Sequence, residues 1–330
     1  MRAPDFWKAR GFISTLLLPA SLLYAFAGHL RRIFTKPVKV SAPVICIGNL
    51  SAGGTGKTPI TLSIGKMLSE AGHTPHIITR GYGGNQRGPL QVRPDHHQAT
   101  EVGDEPLMLA QSLPTWVSRD RAQGAKAAIN AGADILLLDD GFQNPTLIKD
   151  LSLIVVDGTL GFANGRIIPA GPLRESVQTG IKRADAIVLM GSSSDNICPE
   201  LSTFLEGITV LPAHVEPKVL NEQISVTNKS IFAFAAIGYP QKFYTTLEQF
   251  GAKLVGTRDF PDHHAYSRSD LLDVIKSATA AGAELIYTTE KDYTKIPDDL
   301  RDKINSLPIQ AVWDNPNTLM KLINKTLGLK

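Results

Sequence analysis

The sequence predicts an α/β protein: a mostly parallel sheet with helices on both faces, followed by a smaller C-terminal α/β unit. Three observations predict it. Short apolar runs alternate with stretches of helical periodicity, the pattern of strands joined by crossover helices. The run Ile135-Leu136-Leu137-Leu138 is apolar throughout, as expected of a parallel strand covered on both faces. The alternation loosens at the serine-rich stretch Gly191–Cys198 and the polar segment 216–229, then restarts at Ile231–Ile237. With 330 residues, 43% of them hydrophobic, the chain can bury one large core or two ordinary ones.

Val44–Ile47 is an apolar, mostly β-branched strand that runs into a glycine-rich loop. Pro59–Ala71 then carries Ile60, Ile64, Met67, Leu68 and Ala71 on one helical face and stops at Gly72. His76–Thr79 is the next strand, followed by the loop Arg80-Gly81-Tyr82-Gly83-Gly84. Glu105–Leu113 reads as helix, Thr115–Val117 as extended chain and Arg121–Ala131 as an alanine-rich helix. Leu153–Val156 and Ala186–Met190 add strands, and Ile208–Val215 is a further apolar run. The later unit reads as helices near 240–250 and 267–281, a strand at Leu285–Thr288 and a last helix near 316–327.

Charge is unevenly spread. Residues 1–40 hold seven bases against one acid, a net +6, which leaves −3 on the rest (27 bases, 30 acids). A basic nucleic-acid surface on the main body is therefore not expected; anionic lipid is. From Phe12 to Gly28 no residue is charged. As a helix this run is about 25 Å long, short of the roughly 30 Å hydrocarbon core. Phe12, Leu16, Leu23, Phe26, Leu30 and Ile33 recur at helical spacing, with Ser14, Ser21 and Gly28 on other faces. The expectation is a helix on the cytoplasmic leaflet, with Arg31 and Arg32 at phosphate headgroups. A signal peptide, suggested by Ala25-Phe26-Ala27, and an amphipathic helix packed on the body are the alternatives. The two cysteines, Cys46 and Cys198, make neither a zinc site nor a disulfide framework.

Ser51-Ala52-Gly53-Gly54-Thr55-Gly56-Lys57-Thr58 lies between a predicted strand and a predicted helix, the setting of a P-loop. Glycines let the backbone wrap a phosphate chain at the helix N-terminus. Lys57 reaches the β- and γ-phosphates, and the Thr58 hydroxyl is a Mg²⁺ ligand. Ser51 replaces the first glycine of the usual pattern, and Pro59 suits the first helical turn. Asp139 and Asp140 end the apolar strand, where a Walker B acid holds Mg²⁺ directly or through water; either is a candidate. The fold class is thus a P-loop NTPase-type α/β sheet, and ATP with Mg²⁺ is the expected cofactor pair.

Further motifs appear in order: Gly48-Asn49-Leu50, Arg80-Gly81-Tyr82-Gly83, Val102-Gly103-Asp104-Glu105-Pro106, Asp139-Asp140-Gly141-Phe142-Gln143 and Gly171-Pro172-Leu173-Arg174-Glu175. Phe260-Pro261-Asp262-His263-His264 and Thr288-Thr289-Glu290-Lys291-Asp292 follow. With these the chain resembles the tetraacyldisaccharide 4'-kinases over nearly its whole length. The resemblance implies transfer of the ATP γ-phosphoryl group to the 4'-hydroxyl of a tetraacylated glucosamine disaccharide 1-phosphate, yielding the lipid A precursor lipid IVA at the cytoplasmic face of a bacterial inner membrane. It also implies a catalytic carboxylate at Asp104 and a partner histidine at His263, with His264 the adjacent rival. Glu105 joins the Mg²⁺ network, and Arg121 (or Arg119) and Arg174 are candidate cations for phosphate oxygens. Tyr82 and Gln143 line the pocket. The Thr288–Asp292 stretch receives no chemistry beyond contact with ATP or a domain interface.

The expected division is 1–36 for the membrane-associated helix, 37–221 for the kinase domain and 222–330 for a C-terminal domain closing over the active site. Two other readings compete. A P-loop enzyme of small metabolites leaves the basic, apolar N-terminus unexplained. A membrane-docked GTP switch needs Asn-Lys-x-Asp, whereas Asn228-Lys229-Ser230-Ile231 ends in an apolar residue and Thr289-Glu290-Lys291-Asp292 has the wrong order.

Overall fold

The structure, a computed structural model, describes residues 4–191, 198–218 and 226–328. Most of the serine-rich stretch and the expected boundary at 221/222 lie outside the described residues. Eight strands come first: β1 (Val44–Gly48), β2 (Pro75–Thr79), β3 (Leu90–Gln91), β4 (Thr115–Val117), β5 (Ile135–Asp139), β6 (Leu151–Asp157), β7 (Ala186–Met190) and β8 (Thr209–Pro217). Then come β9 (Ser230–Ala235), β10 (Lys253–Asp259), β11 (Leu285–Thr289), β12 (Asn305–Leu307) and β13 (Ile309–Trp313).

The large sheet runs β13-β8-β7-β6-β1-β5-β2-β4-β3. Every pairing is parallel except those at the two edges, β13 with β8 and β3 with β4. β1 therefore lies inside the sheet, between β5 and β6, and is buried along its whole length. Its alternate residues feed two cores: Val44 and Cys46 on one face, Ile45 and Ile47 on the other. The helix Lys57–Glu70 packs close on the second face, and a Cβ at Gly65 would lie 2.2 Å from Leu113.

The small sheet is wholly parallel, in the order β10-β9-β11-β12. It too has a core on each face, one around Phe234, Phe260 and Leu271 and one around Ile231, Tyr244 and Leu247. The chain does not stay with it. Only Pro308 separates β12 from β13, which pairs antiparallel with β8. The last helix, Pro316–Leu327, buries Leu319 and Ile323 in the large-sheet core. The expected 222–330 unit thus loses residues 309–327 to the first sheet, because β8 needs an edge partner and that helix needs an apolar surface.

At the N-terminus the apolar run forms two helices, Phe12–Leu16 and Leu18–Phe34, with Pro19 in the first turn of the second. Ser14 and Ser21 are the residues these helices bury. Ser14 Oγ donates to the Ala170 carbonyl (2.6 Å) and Ser21 Oγ to that of Ile167 (2.7 Å). The apolar face points outward, with Phe12 83%, Leu22 72% and Phe34 80% exposed. Among the described residues no helix is long and apolar enough to cross a membrane.

Candidate active site

The glycine-rich loop leaves the carboxyl end of β1. Gly56, at φ +87°, caps the helix Lys57–Glu70, and Gly53 sits at φ +132°, so both glycines hold conformations costly to any other residue. A Cβ at Gly53 or Gly54 would meet nothing within 4 Å, so the loop backbone faces open space where a phosphate chain fits. Asn49 braces it by donating to the Gly53 carbonyl (3.4 Å) and the Thr55 hydroxyl (3.1 Å). Ser51 bridges to Leu173, and the Ala52 N–H donates to the Pro172 carbonyl at 2.7 Å. Ser51 thus takes part in a turn held by the Gly171–Glu175 segment, a role that needs no glycine.

A cleft of about 1270 Å³ lies over this loop. The loop, Tyr82, Glu105, Arg121, Asp140, Gln143 and Arg174 line it from the large sheet; Gly238, His263 and Lys291 line it from the small one. Tyr24 and Arg31 of the N-terminal helix also border it. The two sheets come close here, since a Cβ at Gly238 would lie 4.0 Å from the Gly54 nitrogen.

The paired acids have different surroundings. Asp139 is buried and accepts from Thr61 Oγ1 at 3.1 Å. Burial, helped by the charges of Glu105 and Asp140, pushes its carboxyl up to about 7. Asp140 is at φ +52° and meets Arg174 (2.8 Å) and Lys57 (3.6 Å). Burial alone would raise its carboxyl, but Lys57 and Arg174 outweigh that and hold it below its ordinary value. Gln143 accepts from Arg174 at 3.3 Å and donates to the Asn49 carbonyl (2.9 Å) and Glu175 (3.1 Å). Arg121, buried at the start of the helix Arg121–Asn130, donates to the Ser118 carbonyl at 2.5 Å. Burial and the neighbouring Arg80 pull its guanidinium down to about 10.

Carboxylate oxygens that raise one another's proton affinity are chemically suited to a hard divalent cation. Glu105 and Asp140 act on Asp139 in this way, and Thr58 lines the same cleft. Among the described residues no three His, Cys, Asp or Glu side chains are arranged to hold a metal alone. Mg²⁺ in nucleotide sites ordinarily takes only one or two carboxylates and shares the phosphates, so the residues present fit it.

Asp104 starts the helix Asp104–Ala110 and is 96% buried. His263 Nδ1 lies 3.1 Å from both of its carboxylate oxygens, across 159 residues of sequence. Burial would raise the Asp104 carboxyl, but the His263 hydrogen bond and the charges of Lys291 and Lys295 prevail and hold it well below the carboxylate range. His263 sits at φ +59°, an uncommon conformation for a non-glycine residue, and its ring is 5.0 Å from that of Tyr82. His264 points elsewhere: it stacks on Phe260 and contacts Asp270 at 3.1 Å, which caps the helix Arg268–Ala280. Sequence reasoning missed Lys291 and Lys295, which reach Glu105 (3.1 Å) and Asp104 (3.1 Å) respectively. Their four-residue spacing after a strand end was the available signal.

A family profile described as tetraacyldisaccharide-1-P 4'-kinase (LpxK) matches residues 13–328. The chain is 44% identical over 328 residues to the tetraacyldisaccharide 4'-kinase of Rhodospirillum rubrum, covering 99% of this chain and 98% of that one. The corresponding protein of Paramagnetospirillum magneticum is 43% identical over 325 residues, with 98% of each covered. Among solved structures the chain is similar to LpxK from Aquifex aeolicus in complex with ATP, at a TM-score of 0.78 and 28% identity, covering 96% of this chain and 100% of that one. A match of this length and identity shows that the chain belongs to the tetraacyldisaccharide 4'-kinase family.

Proposed function

We propose that this kinase transfers the γ-phosphoryl group of ATP to the 4'-hydroxyl of a tetraacylated glucosamine disaccharide 1-phosphate, with Asp104 and His263 handling the proton. The loop Ser51–Thr58 takes the triphosphate, and Lys57 draws its terminal phosphates toward Asp140. Arg174, held between Asp140 and Gln143, is a second cation for charge that builds up on the phosphoryl oxygens. Arg121 adds a buried positive charge to the same wall of the cleft. Mg²⁺ would be held by Asp139, Asp140, Glu105 and Thr58, and it supplies charge neutralisation on the phosphates. Tyr82 packs beside the His263 ring and limits its swing.

The observation that carries this reading is the Asp104–His263 pair, joined across the cleft from the phosphate loop. The attacking hydroxyl must lose its proton as the new P–O bond forms, and a buried, oriented carboxylate beside an imidazole is suited to receive it. The test uses protein in detergent, labelled ATP, Mg²⁺ and the disaccharide 1-phosphate. Asp104→Ala is expected to lower turnover by about 10²–10⁴-fold while ATP affinity changes by less than about threefold. Normal turnover would remove Asp104 from the mechanism.

The outward apolar face of the N-terminal helices supports docking on the cytoplasmic leaflet, where both ATP and a membrane-embedded acceptor are reachable. Arg31, exposed beside that face, adds positive charge for an anionic headgroup, whereas Arg32, also expected there, turns to the body and pairs with Glu175 at 2.7 Å. The cleft borders the same helix through Tyr24 and Arg31, so an acceptor entering from the lipid surface meets the site without leaving the interface.

A further inference from the structure

The small sheet gives Asp104 more than one histidine. Thr289, at the end of β11, caps the helix Glu290–Tyr293, which carries Lys291; Lys295 follows one turn later. Lys295 Nζ lies 3.1 Å from Asp104 Oδ2 and 3.0 Å from Asp292 Oδ1. Asp292 is fully buried, and its other oxygen accepts from the Ala236 N–H (2.8 Å) and the Thr289 hydroxyl (2.9 Å), so Lys295 is mounted on a rigid base. Lys291 Nζ lies 3.1 Å from Glu105 Oε1 and 3.3 Å from His263 Nε2. An ammonium group has donors only, so Nε2 of His263 must accept. The neutral ring then carries its proton on Nδ1, the nitrogen that faces both oxygens of Asp104.

We infer that Lys291 and Lys295 are positioning residues of the Asp104–His263 pair: Lys291 fixes the histidine tautomer and Lys295 fixes the carboxylate. Neither lysine is a solvated surface charge, since their side chains are only 15% and 8% exposed. An imidazole free to switch tautomer would present Nδ1 as an acceptor to a carboxylate, a repulsive arrangement that releases both groups. The inference rests on the reading of Asp104 and His263 as the proton-handling pair.

The experiment uses the full chain in detergent with Mg²⁺, ATP and the acylated disaccharide 1-phosphate, together with ¹⁵N-histidine spectra of the same samples. Lys291→Met is expected to lower kcat by about 10–100-fold while the KM for ATP changes by less than about threefold. In the spectra, the His263 signal, assigned by its loss in His263→Gln, should change from a single Nδ1–H tautomer to a mixture. Lys295→Met should show the same kinetic split, and Lys295→Arg, which returns a charged donor to Asp104, should recover most of kcat. If Lys295→Met fails to fold, Lys291→Met, whose ion pairs are with Asp104 and Glu105 rather than with the buried Asp292, carries the test. An unchanged kcat and an unchanged His263 tautomer in Lys291→Met would overturn the inference. Full turnover by Asp104→Asn would instead overturn the reading on which it rests; inactive Asp104→Asn beside fully active lysine variants would overturn only the lysines' role.

Discussion

Asp139 and Asp140 are adjacent, yet one carboxyl is raised and the other lowered, because one is buried against Thr61 beside other acids and the other faces two cations. The difference has a consequence for stability. Asp139 titrates at about 7 in the fold against an ordinary 3.8. Between those values the native state holds a proton that the unfolded chain has released, so stability falls as pH rises, and the full penalty is present above about pH 7. Asp139→Asn cannot ionise. Without nucleotide or Mg²⁺ it is expected to raise the melting temperature by roughly 2–6 °C at pH 8, with the gain shrinking to nothing near pH 4. Equal melting curves at pH 8 would show that the carboxylate is not strained there. The same variant should lose activity, since the ionised form is what a cation needs. Such local facts were unequally legible. The glycine loop and the aspartates after Leu138 could be read from residue type and strand context alone. Asp104 and His263 could not, because their contact spans two sheets; only the family likeness joined them. Lys291 lay in a quoted motif and Lys295 four residues on, but no spacing could tell which carboxylates of the other sheet they face.

The N-terminal helices reverse the usual arrangement, in that serines face protein and leucines face out. The body residues they meet, Asn164 to Ala170, present the carbonyls of Ile167 and Ala170, the Ala170 N–H and the polar side chains of Asn164 and Arg166, so hydroxyls are partners that surface can use. Leu22, Leu23 and Phe26 are each well over half exposed. Replacing all three with Ser is expected to lower binding to vesicles of mixed anionic lipid by roughly tenfold or more, with little change in melting temperature. Ser21→Ala should do the reverse: it removes the acceptor of the Ala170 N–H and costs about 1–3 kcal/mol, while vesicle binding persists. Unaltered vesicle binding by the triple variant would sink the membrane assignment. Elements with strong periodicity, such as Val44–Gly48 and Pro316–Leu327, were legible in the sequence. β10 was not, because as an edge strand of the small sheet its residues are all at least partly exposed, and polar ones sit among them.

At the scale of the molecule, the chain visits the large sheet, leaves for the small one and returns, and the return was hidden from the sequence. β13 received no assignment from the sequence; its partner β8 lies about a hundred residues earlier, and no local pattern reports a pairing that distant. The return matters because the crossing is a single proline, so the two sheets share one continuous stretch, β12-Pro308-β13, near the cleft floor, where Leu307 and Ile309 line the site. Loosening the end of the chain must therefore act on the first sheet. Leu319, fully buried among Ile60, Leu211 and Trp313 in the large-sheet core, is the residue to remove. Leu319→Ala is expected to cost about 2–5 kcal/mol, the usual penalty for a truncated core leucine. The loss should appear in hydrogen exchange as weakened protection of β1, β6 and β8, with β9 and β11 amides following only as far as global unfolding dictates. Were residues 309–327 part of the small-sheet unit, β9 and β11 would lose protection first and β1 would keep it. Exchange at Ile45 and Ile231, each buried in a different core, therefore distinguishes the two outcomes.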